Sequence, residues 1–333
     1  MTFLLFGCID EFPLDADNPP AEPVIEGLVT DLKGTSLVRI STSLNIQGIR
    51  NGDSPTAGSD ASVEVVDSHG ELTTFCEKSP GLYRPEDESF AGTIGYSYQL
   101  TVTTTDGRTY QSNWELMHPG VLVDSVFLFF EQTLIPGTQQ LTGNHDFFAT
   151  VSNKLEQNVN FRIESNGIAQ VAAYLDPPPP GCGAPRCAEV CYSFRSPINR
   201  QIVLGSTKAT LENKLTLQVA EEPYDFHSRY FIKVTAFSLS PEGVKFWNSI
   251  LTQQQIEGSI FDPQLNEIEG TNIINTASNQ SIIGYFGASA ASADSLIFNR
   301  SETAGFPTPI PTATNSCTEV WEGATLQVPV QFR

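Results

Sequence analysis

Six cysteines and four histidines are the residues of this 333-residue chain with the most chemistry to offer. Cys182, Cys187 and Cys191 fall close together, directly after Asp176 and four consecutive prolines. A zinc site needs a fourth ligand beside three thiolates, and none of His69, His118, His145 and His227 is adjacent in sequence. In an exported chain, disulfides fit this pattern better than a metal. One pairing is Cys182 with Cys187 as a local loop and Cys191 with Cys317 as a long-range staple. Cys76 is then a buried thiol in the amino-terminal part, although spacing alone does not prove the pairing. There is no HExxH, GxSxG or P-loop sequence, and no GxGxxG before a helix. A Ser-His-Asp set or a carboxylate pair assembled from distant positions stays open. Calcium at Glu86-Asp87-Glu88 lacks the EF-hand ligand pattern, and solvated charge is the better reading there. No catalytic residue, metal or cofactor is assigned.

Cys8 stands apart from the others. The run Leu5-Phe6-Gly7-Cys8 looks like a bacterial lipobox, with an apolar residue three before the cysteine and a small one at the cleavage point. Acylation of Cys8 would anchor the chain in a membrane; the alternative is a free thiol near a frayed terminus. Only seven residues precede Cys8 and none is basic, so the true signal peptide is expected to begin upstream of Met1. Residues 12–23, with four prolines, read as an extended spacer between anchor and fold.

The elements that must position these residues read as mainly β. Hydrophobic residues make up 40% of the chain, enough for real cores, and 17% charged is low for a cytosolic enzyme. The formal charge of −20 argues against nucleic acid, which is held by Lys and Arg on phosphates. It argues equally against basic docking on an anionic membrane. Residues 1–20 are the truncated signal and tether. Over 21–118, runs at 24–29, 36–41, 62–67 and 96–103 alternate with turn signals, ending in the Asp106-Gly107 hairpin. This pattern predicts an Ig-like or transthyretin-like β-sandwich. Residues 119–333 form a second β-rich domain, with strands near 121–130, 146–152, 160–164, 201–204, 214–219 and 229–239. Residues 121–130, the greasiest of these, read as a buried strand. The stretch 176–191 reads as an irregular Pro/Cys loop.

One helix is expected, at 240–255. Ser240 is its N-cap, Pro241 takes the first helical position and Glu242 puts an acid in the first turn. Val244, Trp247, Ile250 and Leu251 recur at helical spacing. Trp247 is either a core residue of this stripe, which its spacing favours, or a stacking platform for a ligand. Gly243 is unfavourable inside a helix, and tight packing against a neighbour would explain it. Phe261-Asp262-Pro263 is a turn formula. Gly284-Tyr285-Phe286-Gly287 lies in an apolar strand, where the glycines permit a bulge or a close backbone approach. Trp247, Phe261, Asp262, Tyr285 and Phe286 are the candidate partner or ligand surface.

The order SLSPEGVKFW, GSIFDP, GYFGAS over 238–289 resembles the DUF4249 family of Bacteroidetes outer-membrane lipoproteins, and GYSYQLTVTTTDGRTY resembles that family's first domain. The resemblance covers most of the chain and weakens across the Pro/Cys loop. It implies a lipid anchor in the outer membrane, exposure to the cell exterior, and a SusC-like TonB-dependent transporter as partner. Asp10 and Glu11, directly after Cys8, resemble the surface-export signal of such lipoproteins. Asp124-Ser125-Val126 and Asp294-Ser295-Leu296 resemble Bacteroidetes O-glycosylation sequences at Ser125 and Ser295, although both sit beside apolar strand residues where glycan access should be poor. The family has no established catalytic residues to carry over. The leading expectation is therefore a non-catalytic accessory or binding subunit of a nutrient transporter. A structural or adhesive surface lipoprotein is the alternative, and a hydrolase comes third.

Overall fold

A strand with one wet face and one dry face alternates its burial with period two, and the described strands do so repeatedly. The computed structural model describes residues 22–44, 54–134, 141–155, 157–181, 188–195, 202–209, 213–224, 228–254, 268–303, 310–321 and 323–333. Cys8, Asp10, Glu11, Cys182, Cys187, Phe261 and Asp262 lie outside them.

The first group of strands is β1 (Pro23–Thr30), β2 (Leu37–Thr42), β3 (Ser62–Asp67), β4 (Leu72–Ser79), β5 (Leu82–Pro85), β6 (Ser97–Thr103), β7 (Thr109–Ser112) and β8 (Glu115–Leu116). The second is β9 (Leu122–Leu134), β10 (Leu141–Ser152), β11 (Asn160–Leu175), β12 (Ala188–Arg195), β13 (Val203–Ser206), β14 (Lys214–Pro223) and β15 (Arg229–Leu239). Helix α1 (Pro241–Gln254) follows, then β16 (Ile273–Asn275), β17 (Gly284–Ser289), β18 (Ala291–Asn299) and β19 (Thr312–Ala313).

Three sheets result. A ten-stranded sheet runs β16-β7-β6-β3-β4-β5-β2-β1-β17, with β8 on β6. It wraps a core in which Ile25, Val38, Leu100, Tyr110 and Phe286 meet. A three-stranded sheet (β14-β10-β9) faces a six-stranded one built on β12-β11-β15-β18. Phe147 and Val151 from the first of these meet Phe161, Ile163, Ile232 and Val234 from the second in another core. The chain is thus mainly β, in sandwich-like arrangements with one packed helix.

The expected division at residue 118 marks only the first crossing between the two units. After α1 the chain re-enters the ten-stranded sheet, where β16 lies antiparallel to β7 and β17 parallel to β1. A parallel partner can be reached only through a crossover, and here the crossover is most of the second unit. β18 then leaves again to pair with β15. The crossings are stitched together at one seam. The Ser238 hydroxyl donates to the His118 carbonyl at 2.7 Å, the Ser289 hydroxyl donates to the Ser238 carbonyl at 2.7 Å, and Asp31 accepts from the Ala291 amide at 2.7 Å.

Four further expectations need correction. Residues 121–130 are only partly buried: Val121, Val123 and Val126 enter the core, while Leu122 and Phe129 stay 40% and 61% exposed. The Pro/Cys loop ends before residue 188, and Cys191 sits within β12 in register with Val171. Cys76 is a free thiol but half-buried, on β4. Ser125 and Ser295 are both exposed: alternation along β18 turns Ser295 outward, and on β9 the register shift opposite Thr150 and Val151 takes Ser125 out of phase with the buried Val123. The staple itself is present: Cys191 and Cys317 form a disulfide across 126 residues of sequence, with both residues fully buried.

Candidate binding cleft

The outward faces of β1, β2 and β17 look toward the outward faces of β11 and β15, and α1 closes one side. Between them lies a cleft of about 260 Å³. Each wall follows from strand alternation. On β1, Ile25 and Val29 go to the core while Glu26 and Leu28 face the cleft. On β11, Phe161 and Ile163 go to the core while Arg162 and Glu164 face the cleft. On β17, Phe286 and Ala288 are core while Tyr285, Gly287 and Ser289 line the cleft. Clefts at unit junctions are where small-molecule sites preferentially form.

Helix α1 begins as expected: the Gly243 amide donates to the Ser240 hydroxyl at 3.1 Å. Its buried face differs from the expected stripe. Gly243 and Phe246 are buried, while Val244, Trp247, Ile250 and Leu251 are intermediate. Gly243 is needed because a Cβ there would lie 2.6 Å from the Tyr285 hydroxyl. Phe246 then stacks on the Tyr285 ring at 5.0 Å, and Trp247 meets Phe246 edge-on at 5.2 Å. Trp247 is half-buried and carries the Arg162 guanidinium at 4.2 Å from its ring centroid, with Phe237 at 5.2 Å. Tyr285, Phe246, Trp247, Arg162 and Phe237 therefore form one continuous stack along the cleft.

Charge enters in pairs. Arg162 bonds Glu164 at 3.3 Å, with its own side chain 14% exposed, and Arg39 lies 3.8 Å from Glu26 at the wet rim. Burial pushes the Arg162 guanidinium below its usual value, against the pull of Glu164. Its Nε is buried without a hydrogen-bond partner.

Behind Tyr285 lies a closed polar network. Glu115, 5% exposed, accepts from the Tyr285 hydroxyl at 3.1 Å and from Asn272 at 3.0 Å. Asn272 also brackets Phe286, donating to its carbonyl at 2.8 Å and accepting from its amide at 2.9 Å. The Ser240 and Tyr285 hydroxyls share a bond of 3.0 Å. Burial raises both Glu115 and Tyr285, so the hydroxyl keeps its proton. This carboxylate faces away from the cleft, behind the tyrosine. It fixes Tyr285 and the start of α1, and it does not reach a ligand in the cleft.

The pH consequence has a definite sign. Glu115 is raised above its ordinary value of 4.5 mainly by burial, opposed by the hydrogen bonds from Ser240, Asn272 and Tyr285. The folded state therefore binds this proton more tightly than the unfolded one. The stability it contributes is full below about 4.5 and is lost as pH rises through the raised folded value. Glu115→Gln keeps an acceptor for Asn272 and carries no charge. Its melting temperature at pH 8 is expected to exceed that of the wild type, with the difference shrinking toward pH 4. Thermal melts at the two pH values check this.

A second buried polar group sits inside the other core. Arg300, His145 and Glu222 are each at most 1% exposed. Arg195 reaches Glu222 at 3.4 Å, His145 contacts the Thr303 hydroxyl at 3.1 Å, and Arg300 lies over the Tyr230 ring. Enclosed in this way, the group ties β10, β14, β15 and the residues after β18 together. Among the described residues no three His, Cys, Asp or Glu side chains are placed to hold a metal ion, and no described helix is long and apolar enough to cross a membrane.

Of the sequence candidates, the structure brings Trp247 and Tyr285 to the cleft. Phe286, proposed for the same surface, is instead fully buried in the first core, because it is the next residue along a strand and points the other way. Arg162, Phe246 and Glu115 were not singled out. Arg162 between Phe161 and Ile163 was the available signal, a cation on the outward face of a strand. Residues 9–295 match the family model of a domain of unknown function, DUF4249. No curated protein matches the chain.

Proposed function

We propose that this protein, which belongs to the DUF4249 family, is a non-catalytic, surface-exposed outer-membrane lipoprotein serving as the binding subunit of a SusC-like, TonB-dependent transporter. The observation that carries the reading is the cleft. It is built between two units that the chain crosses repeatedly, its floor is a row of aromatic rings, and the well-buried carboxylate behind it, Glu115, is turned away from it. Glu26 and Glu164, the carboxylates that do line it, are each held by an arginine, an arrangement that suits holding a ligand better than moving a proton. Acylation of Cys8 supplies the anchor in this reading, Asp10 and Glu11 the surface address, and the first unit is an Ig-like scaffold. The transporter partnership rests on the family resemblance. Full-length protein recovered from its native membrane in mild detergent is expected to bring down a large β-barrel protein in near-equal amount, read by mass spectrometry. Recovery of the lipoprotein alone would contradict the partnership and favour an adhesive role.

A further inference from the structure

We propose that the cleft takes a small amphipathic carboxylate, its carboxylate on Arg162 and its apolar body against Leu28, Leu37, Phe237 and Leu239. The inference deepens the binding reading above and rests on it. Arg162 is the most deeply placed charge in the cleft, and its surroundings leave it under-compensated. Its ion-pair partner among the described residues, Glu164, lies at 3.3 Å and is itself 46% exposed. Two aromatic rings flank the guanidinium, and Nε is sealed from solvent with no hydrogen-bond partner among the described residues, so the exposed part of the side chain, 14% of it, is what a ligand in the cleft can reach. A guanidinium taken out of water is costly unless its donors are matched. A carboxylate is the planar acceptor that fits its donor fork.

The rest of the lining selects within the anions. Glu26 and Glu164 offset Arg39 and Arg162 in the lining, so the site has no surplus positive charge to hold a doubly charged ligand. This favours a monoanion over a phosphate ester. Apart from Arg39 and Ser289, the remaining lining is glycine, aliphatic and aromatic, so the ligand must also carry apolar surface to displace water there. The volume of about 260 Å³ suits a compact molecule.

The experiment uses the full chain with hexanoate as the probe, and hexanol as its uncharged counterpart. The Arg162 side-chain Nε–H resonance is followed by NMR, assigned by its loss in Arg162→Gln. Hexanoate is expected to shift this resonance saturably, and hexanol to bind about tenfold more weakly or worse. Arg162→Gln should lose at least about tenfold in hexanoate affinity by calorimetry while leaving hexanol little changed. Should that variant not fold, Gly287→Leu serves in its place. Gly287 lines the cleft with its nearest Cβ neighbour at 3.1 Å on the Tyr285 ring, so leucine there fills the space while Arg162 itself is kept, and should abolish hexanoate binding. Equal binding of hexanoate and hexanol, no saturable shift below about 10 mM, or hexanoate binding unchanged by either substitution would overturn the proposal. Recovery of a barrel partner alongside any of those results would leave the accessory role standing and remove only the ligand class. Hexanoate binding with no barrel recovered would do the reverse.

Discussion

Gly284→Ala is expected to cost about 3 kcal/mol or more, although it adds one methyl group. Gly284 opens β17 opposite Ile25 with φ at +147°, in the region closed to side chains. A Cβ there would lie 2.0 Å from the Ile25 carbonyl oxygen and 3.0 Å from the Ile25 nitrogen. Both obstacles are backbone, so no rotamer change relieves them. The neighbour that must move is β1, and β1 and β17 are the parallel pair that ties the two units. Loss of that pairing releases Tyr285 from Glu115 and Phe286 from the first core. Gly287→Ala, three residues on in the same strand, is the control. Its φ is ordinary and its nearest obstacle is a side chain at 3.1 Å, so it should cost about 1 kcal/mol or less. Urea unfolding of the two variants reads the contrast. Similar midpoints would mean that β17 is not seated against β1 as described.

Removing the disulfide should be of comparable size. Cys191 and Cys317 close a loop of 126 residues, for which chain entropy alone gives up to about 5 kcal/mol, and measured losses are commonly about 2–5 kcal/mol. The paired change Cys191→Ser with Cys317→Ser avoids leaving one reactive thiol. The effect should centre on the carboxy-terminal segment. That segment is held by β19 on β11, by the Trp321 indole donating to the Ala172 carbonyl at 3.2 Å, and by Glu189 accepting from the Cys317 amide at 2.7 Å. Without the staple these contacts must close a long loop unaided. A lower melting temperature with Trp321 emission shifted to the red is expected. With both cysteines fully buried, the native protein should also resist dithiothreitol until it unfolds. An unchanged melting temperature in the double variant would contradict this.

Much of the architecture was legible in the chain because it is written locally. Strand alternation located β1, β3 and β15 nearly to the residue. Ser240, Pro241 and Glu242 placed the start of α1, where capping is a matter of adjacent residues. What sequence did not show is what depends on distant partners. The return of β17 to β1 has no local signature beyond Gly284, whose positive φ is set by the strand it meets. The buried helix face was assigned to Val244 and Trp247 because spacing fixes a stripe but not the direction it faces. Phe246 is the buried residue because Tyr285 and Gly243 bring β17 to that side. Tyr285 and Phe286 read alike as apolar neighbours, yet period two sends one to the cleft and the other to the core. Arg162 has no local mark beyond its place between Phe161 and Ile163, because the ring it lies against, Trp247, is 85 residues away in the chain.

Ligand binding here requires a cleft that exists before any ligand arrives, held by β17 between the two units. Native-state hydrogen exchange at the Phe286 amide tests it most directly, since that amide is bonded to the buried Asn272 side chain at 2.9 Å. The expected result is exchange only through global unfolding, with the same opening free energy as the core amides of Ile163 on β11 and Ile232 on β15. Exchange orders of magnitude faster at Phe286, with β11 and β15 still protected, would show β17 opening by itself. The cleft would then not be preformed, and the binding reading built on it would fail.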